Sequence, residues 1–392
     1  MSGLVRFRGR IAALGAVIAV LLAAGFWVAL THASAQSTQA AGHSAGHASA
    51  VSSSKPKGPL TIVSATPAAH AKYVNGAAPV KVQFSAPLAA GSPMPTIEPA
   101  IAGSWSPTGT DAVQFVPASG FGQWTHVAVR IPGGSTGVQS TDGQQLSQSA
   151  TLHFQVGGYA PARLAELLAQ LGYLPVSWTP DSGQVAPALG STAGQLSAAY
   201  APPAGTFAWA AGYPSGLKSF WDAGSPSGLI VHGAVMAFES DHGLAMDGVA
   251  GPQVWQTLLT AAAKDQVNTH GYSYALASQH PPETLTVWHD GHVILHTAAN
   301  TGIPVAPTAV GTDPVYLRYQ TQIMRGTNPD GSKYADPVAW VAYFLNGEAV
   351  HYFPRASYGF QQSLGCVELP WAQAKAVWPY LTYGTLVTVT PT

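Results

Sequence analysis

Arg6, Arg8 and Arg10 stand in a first decade without an acid, and Ile11 to Leu30 then runs twenty residues without a charge. Ala33-Ser34-Ala35 follows. Basic, apolar, small is the order of an export signal. About twenty apolar residues also suffice to span a bilayer, with the arginines on the inner side. Residues 1–35 therefore read as a cleaved signal peptide or as a membrane anchor. Either way the remainder lies outside the cytoplasm, as a cell-wall or periplasmic, secreted or membrane-anchored protein. That constrains the fold, because the chain holds one cysteine. No disulfide framework within the chain can staple small domains together, so each folded part must close its own apolar core.

The composition allows this. Hydrophobic residues make up 47% of the 392, enough for two or three domains at roughly 150 residues each. Charged residues are only 8%, against about 25% in an ordinary soluble domain. A formal net charge of −1 supplies no basic surface for a phosphate backbone, which points away from nucleic acid. Gln36 to Pro59, rich in Ser, Ala, Gly and His, reads as a flexible tether. His43 and His47 sit four apart, but no helix holds them in register, so they are not read as a metal pair.

Three segments follow. Over residues 60–157, Val80, Val82 and Phe84 alternate with Lys81 and Gln83, and Leu152, Phe154 and Val156 alternate near the end. A period of two puts one side of each strand into a core. Asn75-Gly76 and Asp142-Gly143 mark turns. The expectation is a β-sandwich of immunoglobulin type. Ser64-Ala65-Thr66-Pro67 before a strand resembles the bacterial Ig-like modules of surface proteins, read here as a spacer.

Over residues 158–265, Leu164, Leu167, Leu168 and Leu171 form the apolar stripe of a helix that Gly172 ends. Later come a helix through Phe238, then Gly243-Leu244, Asp247-Gly248, and Gly251-Pro252 opening a second helix through Trp255. This pattern resembles the peptidoglycan-binding helical repeat. Phe238 and Trp255 are read as core residues. Residues 175–227 read as an insert longer than the repeat usually has.

Over residues 282–392, Leu285 to Leu295 reads as a hairpin turning at Asp290-Gly291. His289, His292 and His296 flank that turn and read as strand-surface histidines. Gly384 to Thr390 reads as a closing strand.

The lone cysteine carries the chemistry. A single exported thiol oxidises readily, so its presence calls for a reason. Cys366 sits in Ser363-Leu364-Gly365-Cys366-Val367-Glu368-Leu369, and His351 lies upstream in a strand-like stretch. A cysteine nucleophile needs a base or an imidazolium beside it, and nearness in space is enough. A buried inert thiol would instead favour a binding protein, and a depressed thiol pKa would favour an enzyme.

The whole third segment resembles the L,D-transpeptidase catalytic domain of bacterial cell-wall enzymes. The likeness rests on the opening hairpin, Asn300-Thr301-Gly302, Pro307-Thr308-Ala309-Val310-Gly311, the His351 strand, Ser363-x-Gly365-Cys366-Val367 and the Gly384-Thr385 strand. That family most often has His or Arg where this chain has Leu364, and Arg or Asn where it has Glu368. The resemblance implies a multidomain, mainly β protein: an Ig-like sandwich, a small α-helical peptidoglycan-binding module and a β-rich catalytic domain. It implies 3→3 cross-linking of peptidoglycan stem peptides through a Cys366 acyl-enzyme. His351 would be the base, the backbone near Gly365 and Cys366 the oxyanion site, and Ser363 a support for the loop or for His351. The partner is peptidoglycan, stem peptides and glycan, with the membrane a further partner if residues 11–30 remain attached. No metal or organic cofactor is called for. The alternatives are a wall-binding protein without catalysis, and a carboxypeptidase that trims stems. A lid is implied between Gly311 and Tyr343, where Arg325, Lys333 and Tyr334 also lie. Tyr316, Arg318, Tyr343 and Tyr352 are read as substrate-binding, so that Arg318→Ala would raise KM for a stem peptide.

Overall fold

The computed structural model describes residues 58–222, 225 and 227–391. The segment read as signal or anchor, the tether as far as residue 57, and His43 and His47 lie outside the described residues. Among the described residues no helix is long and apolar enough to cross a membrane.

The first segment contains β1 (Ile62–Thr66), β2 (Val80–Phe84), β3 (Thr96–Glu98), β4 (Gly103–Pro107), β5 (Ala112–Pro117), β6 (His126–Ile131) and β7 (Ala150–Gln155). They form one sheet in the order β1-β2-β5-β4 and a second in the order β3-β6-β7. The alternation in β2 does what its period requires: Val80, Val82 and Phe84 are buried while Lys81 and Gln83 are half-buried. They meet Val127, Val129 and Ile131 of the other sheet in one core. The Asn75 side chain caps its turn by accepting from the Ala77 amide.

The middle segment holds α1 (Pro161–Gln170), β8 (Val176–Pro180), α2 (Thr192–Tyr200), β9 (Gly205–Trp209), α3 (Ser215–Lys218), α4 (Leu229–Asp241) and α5 (Pro252–Lys264). The leucine stripe of α1 is buried throughout, each such side chain contributing about 1.5–3 kcal/mol by leaving water. Phe238 and Trp255 lie in the same core, as their spacing predicts. Residues 175–227 are part of the packed segment. They build the β8–β9 hairpin and helices α2 and α3, and Trp178, Leu196, Ala199, Tyr213 and Leu217 enter the core beside α1, α4 and α5.

The third segment comprises β10 (Ser273–Ser278), β11 (Thr284–His289), β12 (His292–Ala298), β13 (Gly311–Pro314), β14 (Leu317–Thr327), β15 (Lys333–Leu345), β16 (Glu348–Tyr352), β17 (Val367–Leu369), α6 (Trp371–Val377) and β18 (Leu386–Thr390). One sheet runs β12-β11-β10-β18-β13, the other β14-β15-β16-β17. The expected start at residue 282 falls inside this sheet: β10 lies before it and occupies the sheet centre. Its sequence, Ser-Tyr-Ala-Leu-Ala-Ser, is covered on both sides: Tyr274 and Leu276 pack in the helical core, Ala275 and Ala277 in the core between the sheets. The hairpin at Asp290-Gly291 forms as predicted, with His289 opposite His292. Ala275, Val287, Val350, Val367 and Val389 close a core between the two sheets and α6.

The helical and catalytic segments share packing. Tyr274 and Leu386 belong to the helical core, and the α4 backbone at Gly233 lies against the turn at Gly384. A Cβ on Gly233 would stand 2.4 Å from the Gly384 carbonyl oxygen, so only glycine permits this approach.

Candidate active site

Strand pairing brings the predicted residues together. β16 and β17 are parallel, with Val350 opposite Val367 and His351 opposite Glu368. Directly paired residues project to the same face and residues two apart share it. His351, Glu368 and Cys366 therefore face one side, where all three line a cavity of about 310 Å³. Fourteen residues separate His351 from Cys366 in sequence, and they loop out to close the rim.

The loop before Cys366 is braced from two sides. Ser363 Oγ donates to the Cys366 carbonyl at 2.6 Å and accepts from the Gly365 amide at 3.2 Å. Ser363 thus steadies the turn itself rather than His351. Gly365 has φ of +108°, a conformation open to glycine and strained for other residues. The Gly365 amide is engaged by Ser363 and does not serve as an oxyanion donor; the Cys366 amide has no hydrogen-bond partner among the described residues. On the other side, the Gln362 and Ser363 amides donate to the Thr301 carbonyl, and the Ile303 amide donates to the Ser363 carbonyl. Buried Glu283 accepts from the Thr301 amide at 2.6 Å, and Thr308 accepts from the Gly302 amide at 2.8 Å. The Asn300-Thr301-Gly302 and Pro307-Thr308 motifs are the shelf on which the cysteine loop rests.

His351 is buried, and its Nδ1 lies 2.9 Å from the Tyr352 carbonyl oxygen. A carbonyl only accepts, so Nδ1 carries the proton and Nε2 keeps its lone pair. Burial also holds the imidazole below its ordinary pKa, which favours this neutral form. The thiol departs from expectation. Burial, helped by the Glu368 and Glu348 carboxylates, pushes Cys366 up to about 12, where a depressed value had been expected of an enzyme. The resting pair is a neutral thiol and a neutral imidazole. Sγ faces the Gly347 carbonyl at 4.0 Å.

Glu368 and Arg355 are the other charges at the base of the cavity. Arg355 Nε and Nη2 donate to the two Glu368 oxygens at 2.8 Å each, and Nη2 also donates to the Gln362 carbonyl at 2.9 Å. The guanidinium lies over the Phe353 ring. Glu348 accepts from the Ala309 amide and lies beneath Gly365. Neither Arg355 nor Glu348 stood out in the sequence: each forms its hydrogen bonds with residues 7 or more positions away, and neither belongs to a motif.

The expected lid is the long β14–β15 hairpin, in which Met324 pairs with Asp336 and Gly326 with Tyr334. Met324, Tyr334, Asp336 and Val338 face the cavity, joined by Asn328 and Pro329 at the tip. Arg325 and Lys333 are one step off these positions and face away by the pleat, so they do not meet a substrate there. Of the four residues read as substrate-binding, Tyr343 packs in the cluster that includes Cys366 and donates to Gln322. Tyr316 accepts from the Gly347 amide at 3.3 Å, one step back from the thiol. Arg318 does not reach the cavity. It lies 4.2 Å over the Trp378 ring, donates to the Trp378 carbonyl, and lines a separate cleft with Asp241 and His270. Tyr352 packs on Trp371 and lines a groove on the other side of the sheet. Leu364 lines the cavity and is partly exposed.

Residues 274–389 match the family model of the L,D-transpeptidase catalytic domain, and residues 56–156 match that of the bacterial Ig-like domain. Residues 158–265 lie outside both matches. Among solved structures, the chain is similar to L,D-transpeptidase 3 from Mycobacterium tuberculosis at 16% identity, covering 84% of this chain and 98% of that one, with a TM-score of 0.28. An L,D-transpeptidase from Mycobacterium smegmatis has 14% identity over 85% and 100%, with a TM-score of 0.28. The catalytic domain of the E. faecium L,D-transpeptidase has 26% identity over 30% and 96%, with a TM-score of 0.28. No curated protein matches the sequence.

Proposed function

The chain carries an L,D-transpeptidase catalytic domain and a bacterial Ig-like domain, and from that premise we propose that it cross-links peptidoglycan stem peptides outside the cytoplasm. The observation that carries the reading is the convergence of Cys366 and His351 in one cavity, with His351 held in the tautomer whose Nε2 accepts a proton. Cys366 Sγ attacks the carbonyl of the third stem residue, a diamino acid, as His351 Nε2 takes the thiol proton. The tetrahedral oxyanion is met by the Cys366 amide, a contribution of about 3–4 kcal/mol by analogy with other acyl-transfer sites. His351 returns the proton to the departing D-alanine amine. The side-chain amine of a second stem then takes the acyl group, giving a 3→3 link and releasing the thiol. Water in place of that amine gives carboxypeptidase action.

The neutral thiol fits proton transfer concerted with attack rather than a standing thiolate. It also supports a second reading, a wall-binding protein that keeps the fold without turnover. Incubation of residues 36–392 with a disaccharide-tetrapeptide, read by mass spectrometry, separates them. A dimer lacking one D-alanine, absent with Cys366→Ala, is the expected product. Monomer without D-alanine would indicate a carboxypeptidase. Unchanged substrate would favour the second reading.

The Ig-like domain is proposed as a spacer and residues 158–265 as the wall-binding module. In that module Tyr159, His232 and Trp255 line a cleft of about 320 Å³, and aromatic faces suit glycan.

A further inference from the structure

The cavity around Cys366 holds one guanidinium, and it arrives from an unexpected place. The position where the family resemblance leads one to expect Arg or Asn carries Glu368, and Arg355 reaches that carboxylate from the loop after β16. Three of the five guanidinium N–H groups are committed: Nε and one Nη2 proton to Glu368, the second Nη2 proton to the Gln362 carbonyl. The two Nη1 protons remain. The Arg355 side chain keeps 28% of its surface exposed while Glu368 keeps 6%, and both line the cavity. The guanidinium is thus clamped through Nε and Nη2 and open at Nη1. Across the cavity Asp336 lowers the energy of the charged form but forms no ion pair with it.

We infer that the open Nη1 of Arg355 is the carboxylate-binding group of the Cys366 cavity. The inference rests on the transpeptidase reading for the identity of the carboxylate, but not for its existence. Nη1 can donate a charge-assisted hydrogen bond to a carboxylate oxygen, and a guanidinium already fixed by Glu368 and Gln362 loses little side-chain freedom in doing so. Because the Arg355–Glu368 pair is neutral as a unit, selection comes from a fixed, charge-assisted donor at Nη1 rather than from net charge. A stem tetrapeptide offers two carboxylates near the scissile carbonyl: the terminal group of the D-alanine, and the group at the far end of the diamino acid.

Removing Arg355 alone would leave Glu368 buried without a partner, which is strongly destabilising. The informative variant is therefore the pair Arg355→Gln with Glu368→Gln, which is neutral in both halves, with Arg355→Lys as the charge-retaining companion. The first readout is the rate at which Cys366 is alkylated by iodoacetate relative to iodoacetamide at pH 8.5. The two reagents differ by a carboxylate in place of a carboxamide, and the ratio cancels any general change in thiol reactivity. The expected result is a ratio at least threefold lower in both variants than in the unaltered protein, with unchanged circular dichroism. The same ratio in all three proteins would overturn the inference. The second readout assigns the source. With the tetrapeptide, the paired substitution is expected to raise KM roughly tenfold with little change in kcat, and amidating the bound carboxylate is expected to abolish that difference. Loss of the difference on amidating the terminus assigns the D-alanine carboxylate; loss on amidating the diamino acid assigns its far end. A fall in the alkylation ratio in a protein that shows no turnover would leave the binding group standing and remove the transpeptidase reading.

Discussion

Cys366 and Arg318 show how burial and contact decide a residue's role. A thiol pushed up to about 12 holds far less thiolate at neutral pH than an ordinary cysteine, and the thiolate is the nucleophile. The folded pKa lies above the unfolded one, so folding suppresses reactivity throughout the range below the ordinary thiol pKa. Alkylation of Cys366 by iodoacetamide at pH 8 should therefore be at least tenfold slower in the folded protein than in the urea-unfolded chain, and should climb steadily as pH rises to 10. Fast labelling at pH 6 that His351→Ala slows would instead mean a standing thiolate–imidazolium pair. Arg318 looked like a substrate group because it is one of few cations in the lid region. Its guanidinium is occupied by the Trp378 ring and carbonyl, so Arg318→Ala should leave KM for a stem peptide unchanged. The lost stacking should cost about 1–2 kcal/mol, seen in a denaturant titration; a raised KM at unchanged stability would restore it to the site. Cys366, His351 and Ser363 were legible because they fall in a motif of fixed spacing. Arg355 and Glu348 were not, because their partners are set by the loop path.

Elements were legible where periodicity was strong. The α1 leucines, the β2 alternation and the Gly-Pro opening of α5 each specify their element locally. β10 was missed because a strand covered on both sides carries apolar residues on both and so shows no alternation of apolar with polar. The facing of the lid was missed for a different reason: a period of two indicates two sides but not which one meets the cysteine. Within α4, Glu239 marks a choice that no pattern displays. It is buried, with one oxygen accepting from the Gly248 amide at 2.8 Å and the other without a partner among the described residues. Burial, with Asp247 close by, pushes its carboxyl up to about 7. The folded chain then keeps a proton that the unfolded chain releases near pH 4.5, so between those values the unfolded state binds fewer protons and stability falls as pH rises. At about 1.36 kcal/mol per pKa unit, the loss is on the order of 1–3 kcal/mol. Thermal melts should show Tm dropping between pH 5 and 7.5, and Glu239→Gln should flatten that slope. An equal slope in both proteins would place the titration elsewhere.

At the scale of the whole molecule, three sequence segments do not make three equal cores. The Ig-like core is its own, and it meets the middle segment through Tyr200, whose hydroxyl donates to the Phe121 carbonyl at 2.9 Å. The helical core, by contrast, takes in Tyr274 of β10 and Leu386 of β18, two strands at the centre of the catalytic sheet, and Gly233 lies against Gly384. Domains unfold independently when each has its own core and few contacts cross between them. The helical and catalytic segments fail that condition. Calorimetry of residues 58–391 should therefore show two transitions rather than three, one for the Ig-like sandwich and one for the other two segments together. Deleting residues 58–157 should remove the first and shift the second by only a few degrees. Residues 274–391 alone should melt well below the joint transition, because β10 and β18 would then expose Tyr274 and Leu386. Three resolved transitions, or an isolated catalytic segment as stable as in the full chain, would mean that the shared packing carries no cooperativity. In the cooperative case, a ligand held by Tyr159, His232 and Trp255 stabilises the joint unit that contains the β10–β18 sheet, since anything that binds only the folded form raises the stability of the whole unit it binds.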